Sequence, residues 1–297
     1  MHVVELNEYN IERYAAYLGE DMAENIGRIF FRGLVLEEDG TGDLLGGMVW
    51  ELKHLDDAKF TKSCIHWFAC EDYDVADALF FYYAELNDSE GVGESFVTIP
   101  FKKGSRQKQI LKRKGFSVKL MEGDNVVVKL SEIVSMPVFQ KRQEMNHVHP
   151  LEELSRRDYR RLIVRLEMRG QKGTCEDLGY LPMGYFEPGV SCYFEDGDTI
   201  RGLLLFHTTP SGRLSLKVMR ALPKVNREIS LILMQLMLYA VGYMGRTYPL
   251  HTGIEIDRHN HAALLLAEKL FPRGFGSPVY SGSRKEYETD PDMTLGQ

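Results

Sequence analysis

The chain has 297 residues, of which 44% are hydrophobic and 27% charged, as is typical of a soluble globular protein long enough for two domains. Its net charge of −7 argues against generic nucleic-acid binding, which needs a basic surface. The four cysteines form no CxxC pair, disulfide framework or zinc site, and the polar amino terminus is not a signal sequence. We therefore expect a cytoplasmic protein without a resident metal. We expect no membrane contact either, because the longest apolar stretch, Ile229–Met244, is short for a membrane span.

The first half of the chain alternates predicted helices and strands. Asn10 can cap a helix that ends at Gly19, and Met22–Arg32 follows with helical spacing of its apolar residues. Two apolar segments around the Asp39–Gly42 turn predict a β-hairpin. The later predicted elements of this half are the strand Ser63–Cys70, the helix Val75–Leu86 capped by Asp74, the strand Glu94–Phe101, the basic helix Arg106–Lys114 and the closing strand Asn125–Leu130.

A segment with few periodic apolar positions, residues 135–149, is the predicted linker between a first domain, residues 1–134, and a second, residues 150–297. Residues after Tyr280 are polar, and a mobile chain end is predicted there. The predicted elements of the second half are a helix that Ser155 caps and that runs through Arg169, the strands Val190–Phe194, Ile200–His207 and Arg213–Leu222, the apolar helix Glu228–Tyr243 capped by Asn226, the strand Leu250–Ile256 and the helix Asn260–Lys269.

Both halves repeat one order of strand, helix, strand, helix and Gly-Phe, ending at Gly115-Phe116 and at Gly274-Phe275. The final strand, helix and Gly-Phe resemble the last strand–helix pair of the GNAT acyltransferase superfamily. The residues that fit its pattern are Asn260, Ala263, Leu266, Gly274 and Phe275. The resemblance implies an α/β chain with mixed sheets, built as two tandem GNAT-like acyl-CoA N-acyltransferase folds.

The resemblance also implies that acetyl-CoA, or another acyl-CoA, places its pyrophosphate at the start of a central helix. Neither half has the family's Gln/Arg-x-x-Gly-x-Gly/Ala loop there. Four carboxylates crowd the helix start in the first half, where they would repel a phosphate. The cofactor site is therefore predicted in the second half, where cations surround the start of the equivalent helix. The candidate residues are Arg220, Lys224, Asn226, Arg227 and Asn260. The alternative is that these cations are solvated surface residues.

For catalysis, Glu255 is the candidate base, with His251 predicted on the same face of its strand. The alternative for Glu255 is a salt bridge to Arg213, Lys217 or Arg220 on the adjacent strand. Many GNAT enzymes protonate the leaving thiolate with a tyrosine on the last helix. Leu111 and Ala267 stand at the aligned positions here. Tyr239 and Tyr280 are possible substitutes, although the sequence does not position them.

The leading hypothesis is acyl transfer from acyl-CoA to an amine of a small molecule or peptide by the second domain. A second hypothesis is an inactive GNAT-like binding or scaffold protein, since both halves lack the glycines and the tyrosine. A third is aminoacyl transfer from a charged tRNA, for which the basic run Lys102–Lys119 is the only support. That run is otherwise a solvated helix face, or a surface that docks an anionic substrate or partner.

Overall fold

The structure is a computed structural model that describes residues 1–53, 61–121, 127–140, 145, 147–168, 177–256 and 278–286. The chain divides into two compact units. The first unit holds the described residues 1–121 and 278–286, and the second holds those between 127 and 256.

The first unit is a seven-stranded mixed sheet with helices on both faces. Its strands are β1 (His2–Glu5), β2 (Phe31–Glu37), β3 (Leu44–Lys53), β4 (Thr61–Cys70), β5 (Val92–Pro100), β6 (Ser117–Met121) and β13 (Val279–Lys285). Its helices are α1 (Ile11–Leu18), α2 (Glu20–Ala23), α3 (Tyr73–Asp88) and α4 (Arg106–Arg113). The order across the sheet is β1-β2-β3-β4-β5-β13-β6, in which only β4 and β5 pair in parallel.

Alternation along the strands gives this unit a core on each face of the sheet. One core packs α3 and α4 against the sheet around the buried Trp50, Tyr83 and Ile110. The other packs α1 against the opposite face around Tyr14 and Val49. A sheet covered on both faces in this way needs no further layer to bury its apolar surface.

The second unit is a six-stranded mixed sheet with the order β7-β12-β11-β10-β9-β8. Its strands are β7 (Val127–Lys129), β8 (Val148–Pro150), β9 (Cys192–Asp196), β10 (Thr199–Thr208), β11 (Leu214–Ala221) and β12 (Gly253–Ile256). Its α-helices in the described residues are α5 (Leu130–Val134), α6 (Arg156–Glu167) and α7 (Ile229–Thr247). The ladder between β11 and β12 is parallel, and α7 is the connection between these two strands.

The helix α7 supplies much of the core of the second unit. Its buried side chains include Ile232, Leu236 and Met244, which join the cluster formed with β10, β11 and β12. Together with the turn before it, Asn226–Thr247, the helix is long and apolar enough to cross a membrane by length and composition alone. The helix α6 packs Tyr159 and Leu162 into a second cluster with β10 and β11.

Two strands lie in a different sheet from the one that the predicted boundaries imply. The predicted closing strand of the first domain, β7, pairs with β12 of the second unit, and the strand β13 near the chain end lies between β5 and β6 of the first unit. The start of the predicted mobile end, the residues after Tyr280, is ordered as the rest of this strand, which runs as far as Lys285. The prediction was wrong here because the serines at 281 and 283 make the strand look polar, whereas its pairing with two neighbours is non-local.

Three local predictions also need correction. Met22–Arg32 is helical only at its start, since α2 ends at Ala23 and Phe31 opens β2. The cap of α3 is Asp72 rather than Asp74, because the Asp72 carboxylate accepts hydrogen bonds from two amides of the first turn. The predicted helix Asn260–Lys269 and the pair Gly274-Phe275 lie outside the described residues.

Candidate active site

The parallel ladder of the second unit pairs Leu214 with Ile254, Ser215 with Glu255, and Leu216 with Ile256. Just beyond it, β11 contains a β-bulge. Leu205 of β10 lies opposite Val218 and the next residue, Phe206, lies opposite Leu216, so Lys217 is the extra residue. A bulge of this kind bends its strand and redirects side chains, and bulges are common beside active sites.

The first unit has the same construction at the equivalent place. Its parallel ladder ends at the pair Ile65–Val97, while β4 and β5 continue without further pairing to each other. His66 is the extra residue of a bulge in β4, because Val49 lies opposite Trp67 and the next residue, Trp50, lies opposite Ile65. Each unit therefore carries a bulge immediately after the described parallel pairs, where β4 leaves β5 in the first unit and β11 leaves β12 in the second.

Glu255 is positioned by the ladder beside the Lys217 bulge. It lies opposite the buried Ser215, and cross-strand partners of this kind present their side chains on one face of the sheet. Glu255 itself is half-buried. Within the described part of the chain it makes no ion pair, so the alternative of a salt bridge to the adjacent strand is not found.

His251 does not lie in the strand of Glu255. The strand β12 begins only at Gly253, and His251 is exposed in the turn before it. The turn follows Pro249, whose carbonyl accepts a hydrogen bond from the amide of Thr252 at 2.9 Å. The predicted strand from Leu250 was too long because this local turn takes the place of strand pairing.

The predicted cofactor residues gather around the start of α7. Lys224, Asn226 and Arg227 are exposed in the loop and in the short 3-10 turn Asn226–Glu228, and Arg220 is half-buried on β11. Asn226 does not cap the helix, because no side chain accepts a hydrogen bond from the start of the turn or of α7. The amide donors of this helix end are consequently not occupied by a side chain.

Two carboxylates balance part of this positive charge. Glu228 accepts a hydrogen bond from the amide of Lys224 at 3.1 Å and lies 3.4 Å from the guanidinium of Arg201. Asp196 lies 2.6 Å from Arg201 and 3.8 Å from the ammonium of Lys224. Arg227 has no carboxylate partner in the part of the chain that the structure describes, so it is the cation best placed to bind an anion.

The equivalent helix start in the first unit is closed to an anion. The carboxylate of Asp72 lies 2.8 Å and 3.2 Å from the amides of Asp74 and Val75, which are the donors that a phosphate would need. The hydrogen bond and charge of Lys114 hold the pKa of Asp77 below its usual range. Negative side chains therefore occupy this end of α3.

The two tyrosines considered as proton donors belong to different units. The hydroxyl of Tyr239 donates to the carbonyl of Gly189 at 3.3 Å, and burial raises its pKa to about 12. Tyr280 belongs to the first unit, where it is buried in the core with α3 and α4. Asn260 lies outside the described residues.

The sequence analysis missed a charged cluster beside the bulge of the first unit. The side chain of Glu51, which is 5% exposed, lies 3.2 Å from the ammonium of Lys53 and 3.0 Å from Nε2 of His66. The ring of His66 stacks on Phe31. The signal in the sequence was the pair of charged residues Glu51 and Lys53 in an otherwise apolar strand.

No group of three or more residues suited to a metal ion occurs within the described ranges. Cys64, Cys70 and Cys192 are free thiols.

Comparison with known proteins places this fold. A tandem GNAT protein from the clavulanic acid biosynthesis pathway matches with 12% identity over 97% of this chain and 99% of its own, at a TM-score of 0.56. A GCN5-related N-acetyltransferase from Sphaerobacter thermophilus matches with 12% identity over 96% of both chains, at a TM-score of 0.52. A GCN5-related glucosamine N-acetyltransferase region of a fungal multi-domain β-N-acetylglucosaminidase also matches. The two are 9% identical over 95% of this chain and 38% of that chain, at a TM-score of 0.58.

The chain therefore has the GNAT superfamily fold, and the predicted α/β class with mixed sheets is confirmed. At these identities the likeness extends to the fold alone. No protein-family model matches the sequence, and no curated protein matches it.

Proposed function

We propose that the second unit transfers an acyl group, most simply acetyl, from acyl-CoA to an amine. One observation carries the proposal: Glu255 is half-buried beside a β-bulge, opposite Ser215, and within the described residues no cation neutralises it. A carboxylate held in this state is suited to accept a proton.

In this proposal Glu255 removes a proton from the acceptor ammonium, and the amine nitrogen then attacks the thioester carbonyl. A new C–N bond forms, the C–S bond breaks, and the sulfur leaves as a thiolate that takes up a proton. The open amides at the start of α7 would bind the pyrophosphate of the cofactor together with Lys224 and Arg227. The bulkier loop, which lacks the family's glycines, predicts weaker binding than a glycine-rich loop gives.

The acceptor in this proposal is an amine of a small molecule or peptide, and the reaction takes place in the cytoplasm with neither membrane nor nucleic acid. His251 can serve only as an exposed group in the turn before β12, since it precedes the strand. The principal binding residues are accordingly Arg227 and the amides of its turn, with Lys224 and Arg220 as supporting cations.

Isothermal titration of acetyl-CoA into the full chain tests the cofactor site. We expect measurable binding to the wild type and at least tenfold weaker binding to Lys224→Glu/Arg227→Glu. The matched control is Arg157→Glu/Arg160→Glu, which reverses two exposed cations on α6 and should bind as the wild type does. Absence of binding to the wild type, or equal loss in both variants, would overturn the proposed site.

A panel of amines, followed by detection of released thiol, then tests the reaction. The second candidate function is an inactive GNAT-like binding protein. The observation that favours it is that the tyrosines considered as donors lie elsewhere, Tyr239 on Gly189 and Tyr280 in the other unit. Binding of acetyl-CoA without turnover on any amine would support that candidate, whereas turnover that Glu255→Gln abolishes would exclude it.

A further inference from the structure

A second surface that combines positive charge with apolar side chains lies at one corner of the first unit. The strand β6 is the last strand of the seven-stranded sheet. Its residues Leu120 and Met121 are 46% and 41% exposed, and Phe101, which follows β5, is 40% exposed. We call the edge surface the set formed by these three residues and the exposed lysines Lys102, Lys103 and Lys119.

The contacts of β13 bring the apolar members of the edge surface together. Leu120 lies opposite Tyr280, and Met121 lies opposite Val279. The ring of Phe101 lies 5.3 Å from that of Tyr280, and its amide donates to the carbonyl of Pro278 at 3.1 Å. Phe101 and Leu120 therefore lie on the face of the sheet to which Tyr280 points, whereas Met121, the next residue of β6, lies on the opposite face.

The lysines of the edge surface lack counter-charges. None of Lys102, Lys103 and Lys119 has a carboxylate within ion-pair distance in the described ranges. The sequence contains no Asp or Glu from 101 to 121. Arg106 adds a further cation at the first position of α4, where the helix dipole disfavours positive charge. The fold gains nothing from this mutual repulsion, whereas an anionic partner would relieve it.

The apolar residues identify the kind of partner. Protein interfaces combine apolar side chains with a polar rim, and the edge surface offers both kinds of side chain. Nucleic-acid surfaces combine cations with several flat rings for base stacking, whereas Phe101 is the one ring among the three exposed apolar side chains of the edge surface. The strand β6 also presents one edge without a neighbouring strand in the described sheet, and an extended peptide can pair with such an edge.

We propose that the edge of β6 receives an extended acidic segment of another protein as an additional strand. Backbone hydrogen bonds would set its register, alternate apolar side chains would contact Leu120 on one face of the sheet, and carboxylates would pair with Lys119 on the other face and, beyond the paired residues, with Lys102 and Lys103. A second copy of this chain is a poor occupant of the same edge, because pairing two β6 strands brings two copies of the basic surface together. The proposal does not depend on acyl transfer by the second unit.

The experiment is selection of a random peptide-display library against the immobilised full chain. We expect enriched peptides with net negative charge and alternating apolar residues. Their affinity, measured by fluorescence anisotropy, should fall at least tenfold on Lys102→Glu/Lys103→Glu/Lys119→Glu and on methylation of alternate peptide amides. The control Arg156→Glu/Arg157→Glu/Arg160→Glu reverses three exposed cations of the second unit and should leave the affinity unchanged.

Three results would overturn the proposal. The first is a selection that enriches no acidic peptides, and the second is binding that the lysine substitutions leave intact. The third is that a random-sequence RNA binds the same surface more tightly at physiological salt, with loss in the lysine variant; a nucleic acid would then be the occupant. Circular dichroism of the variant shows that it retains the wild-type fold.

Discussion

Ser215 of β11 lies directly opposite Glu255 of β12, one pair before the last described pair of the parallel ladder. At the equivalent place in the first unit, one pair before the end of its ladder, Cys64 lies opposite Phe96. Both places adjoin a bulge, in β11 of the second unit and in β4 of the first. The two units therefore share one backbone arrangement, while only the second has a carboxylate at this place, that of Glu255.

The first prediction concerns Glu255. Replacement by Gln retains the size of the side chain but removes the ability to take a proton, so we expect kcat for acyl transfer to fall by about 10²–10⁴-fold with little change in cofactor affinity. Glu195→Gln, on β9, is the control and should have wild-type kinetics. Unchanged kcat in Glu255→Gln would remove Glu255 from the mechanism.

Much of the fold was predictable from local patterns, because alternation and caps are local properties. The helix at Ser155 shows this: its hydroxyl accepts the amide of Asp158 at 3.1 Å, as the sequence predicted. It was not predictable in this way that β7 belongs to the sheet of the second unit and β13 to the sheet of the first. Strand pairing depends on partners more than a hundred residues apart, and nothing in the local sequence of β13 identifies β5 and β6 as its neighbours.

The candidate site shows the same division. The cations at the start of α7 were identified because they are adjacent in sequence. The cluster of Glu51 with His66 was not, since it joins two strands and depends on a bulge that changes which face His66 occupies. The choice between Asp72 and Asp74 as cap was likewise beyond sequence periodicity, which locates helix ends only to within a few residues.

The second prediction concerns the cap of α3. Asp72→Ala should lower the free energy of unfolding of the first unit by about 1 kcal/mol, because two amides lose their acceptor. Asp74→Ala should cost less, since Asp74 contributes only its charge near the helix dipole. Both tryptophans, Trp50 and Trp67, lie in the first unit, so denaturant unfolding followed by their fluorescence reports on that unit. A larger effect at Asp74 would contradict the assignment.

The third prediction concerns β13, which is anchored in the first unit by Arg284 and Glu286. The guanidinium of Arg284 binds the Glu286 carboxylate at 2.7 Å and donates to the carbonyl of Lys114 at 3.0 Å. Glu286 also accepts from Ser95, which is hydrogen-bonded to the buried hydroxyl of Tyr83. We expect each of Arg284→Ala and Glu286→Ala to destabilise this unit by about 1–3 kcal/mol.

Because the two side chains bind each other, the double variant should lose less than the sum of the single losses. Tryptophan fluorescence in a urea series measures each value. Lys285→Ala, at the exposed neighbouring position, is the control and should remain within about 0.5 kcal/mol of the wild type. Additive losses, or single losses no larger than the control, would show that the pair does not anchor the strand.

The fourth prediction concerns the buried ion pair of Glu51 and Lys53, whose side chains are 5% and 8% exposed. Glu51→Ala should destabilise the first unit by about 3–5 kcal/mol, because it leaves the ammonium of Lys53 buried without this carboxylate. Glu51→Leu/Lys53→Met should be far less destabilising, since it removes both charges and keeps the volume. Chemical denaturation followed by tryptophan fluorescence gives both values. If the double variant is as unstable as Glu51→Ala, the cluster is required as an ionic structure.

The last prediction concerns Cys70 at the end of β4. Burial raises the pKa of its thiol to about 11, and the thiol donates a hydrogen bond, 3.0 Å long, to the carbonyl of Asp72. At pH 8 its thiolate fraction should therefore be roughly a hundredfold below that of an ordinary cysteine. Alkylation by iodoacetamide, followed by mass spectrometry of the Cys70 peptide, should be slower than in urea-unfolded protein by at least this factor.

The pH dependence of Cys70 separates the effect of pKa from simple shielding. With a raised pKa, the rate of alkylation should increase about tenfold for each pH unit up to pH 10, whereas the unfolded protein should reach its plateau near pH 9. The sign for stability follows from the same shift: the unfolded chain loses the proton first, so the contribution of Cys70 to stability is complete below its ordinary pKa and falls as pH rises towards about 11. A rate in the folded protein that levels off near pH 9 would show that the thiol has an ordinary pKa and is only sterically protected.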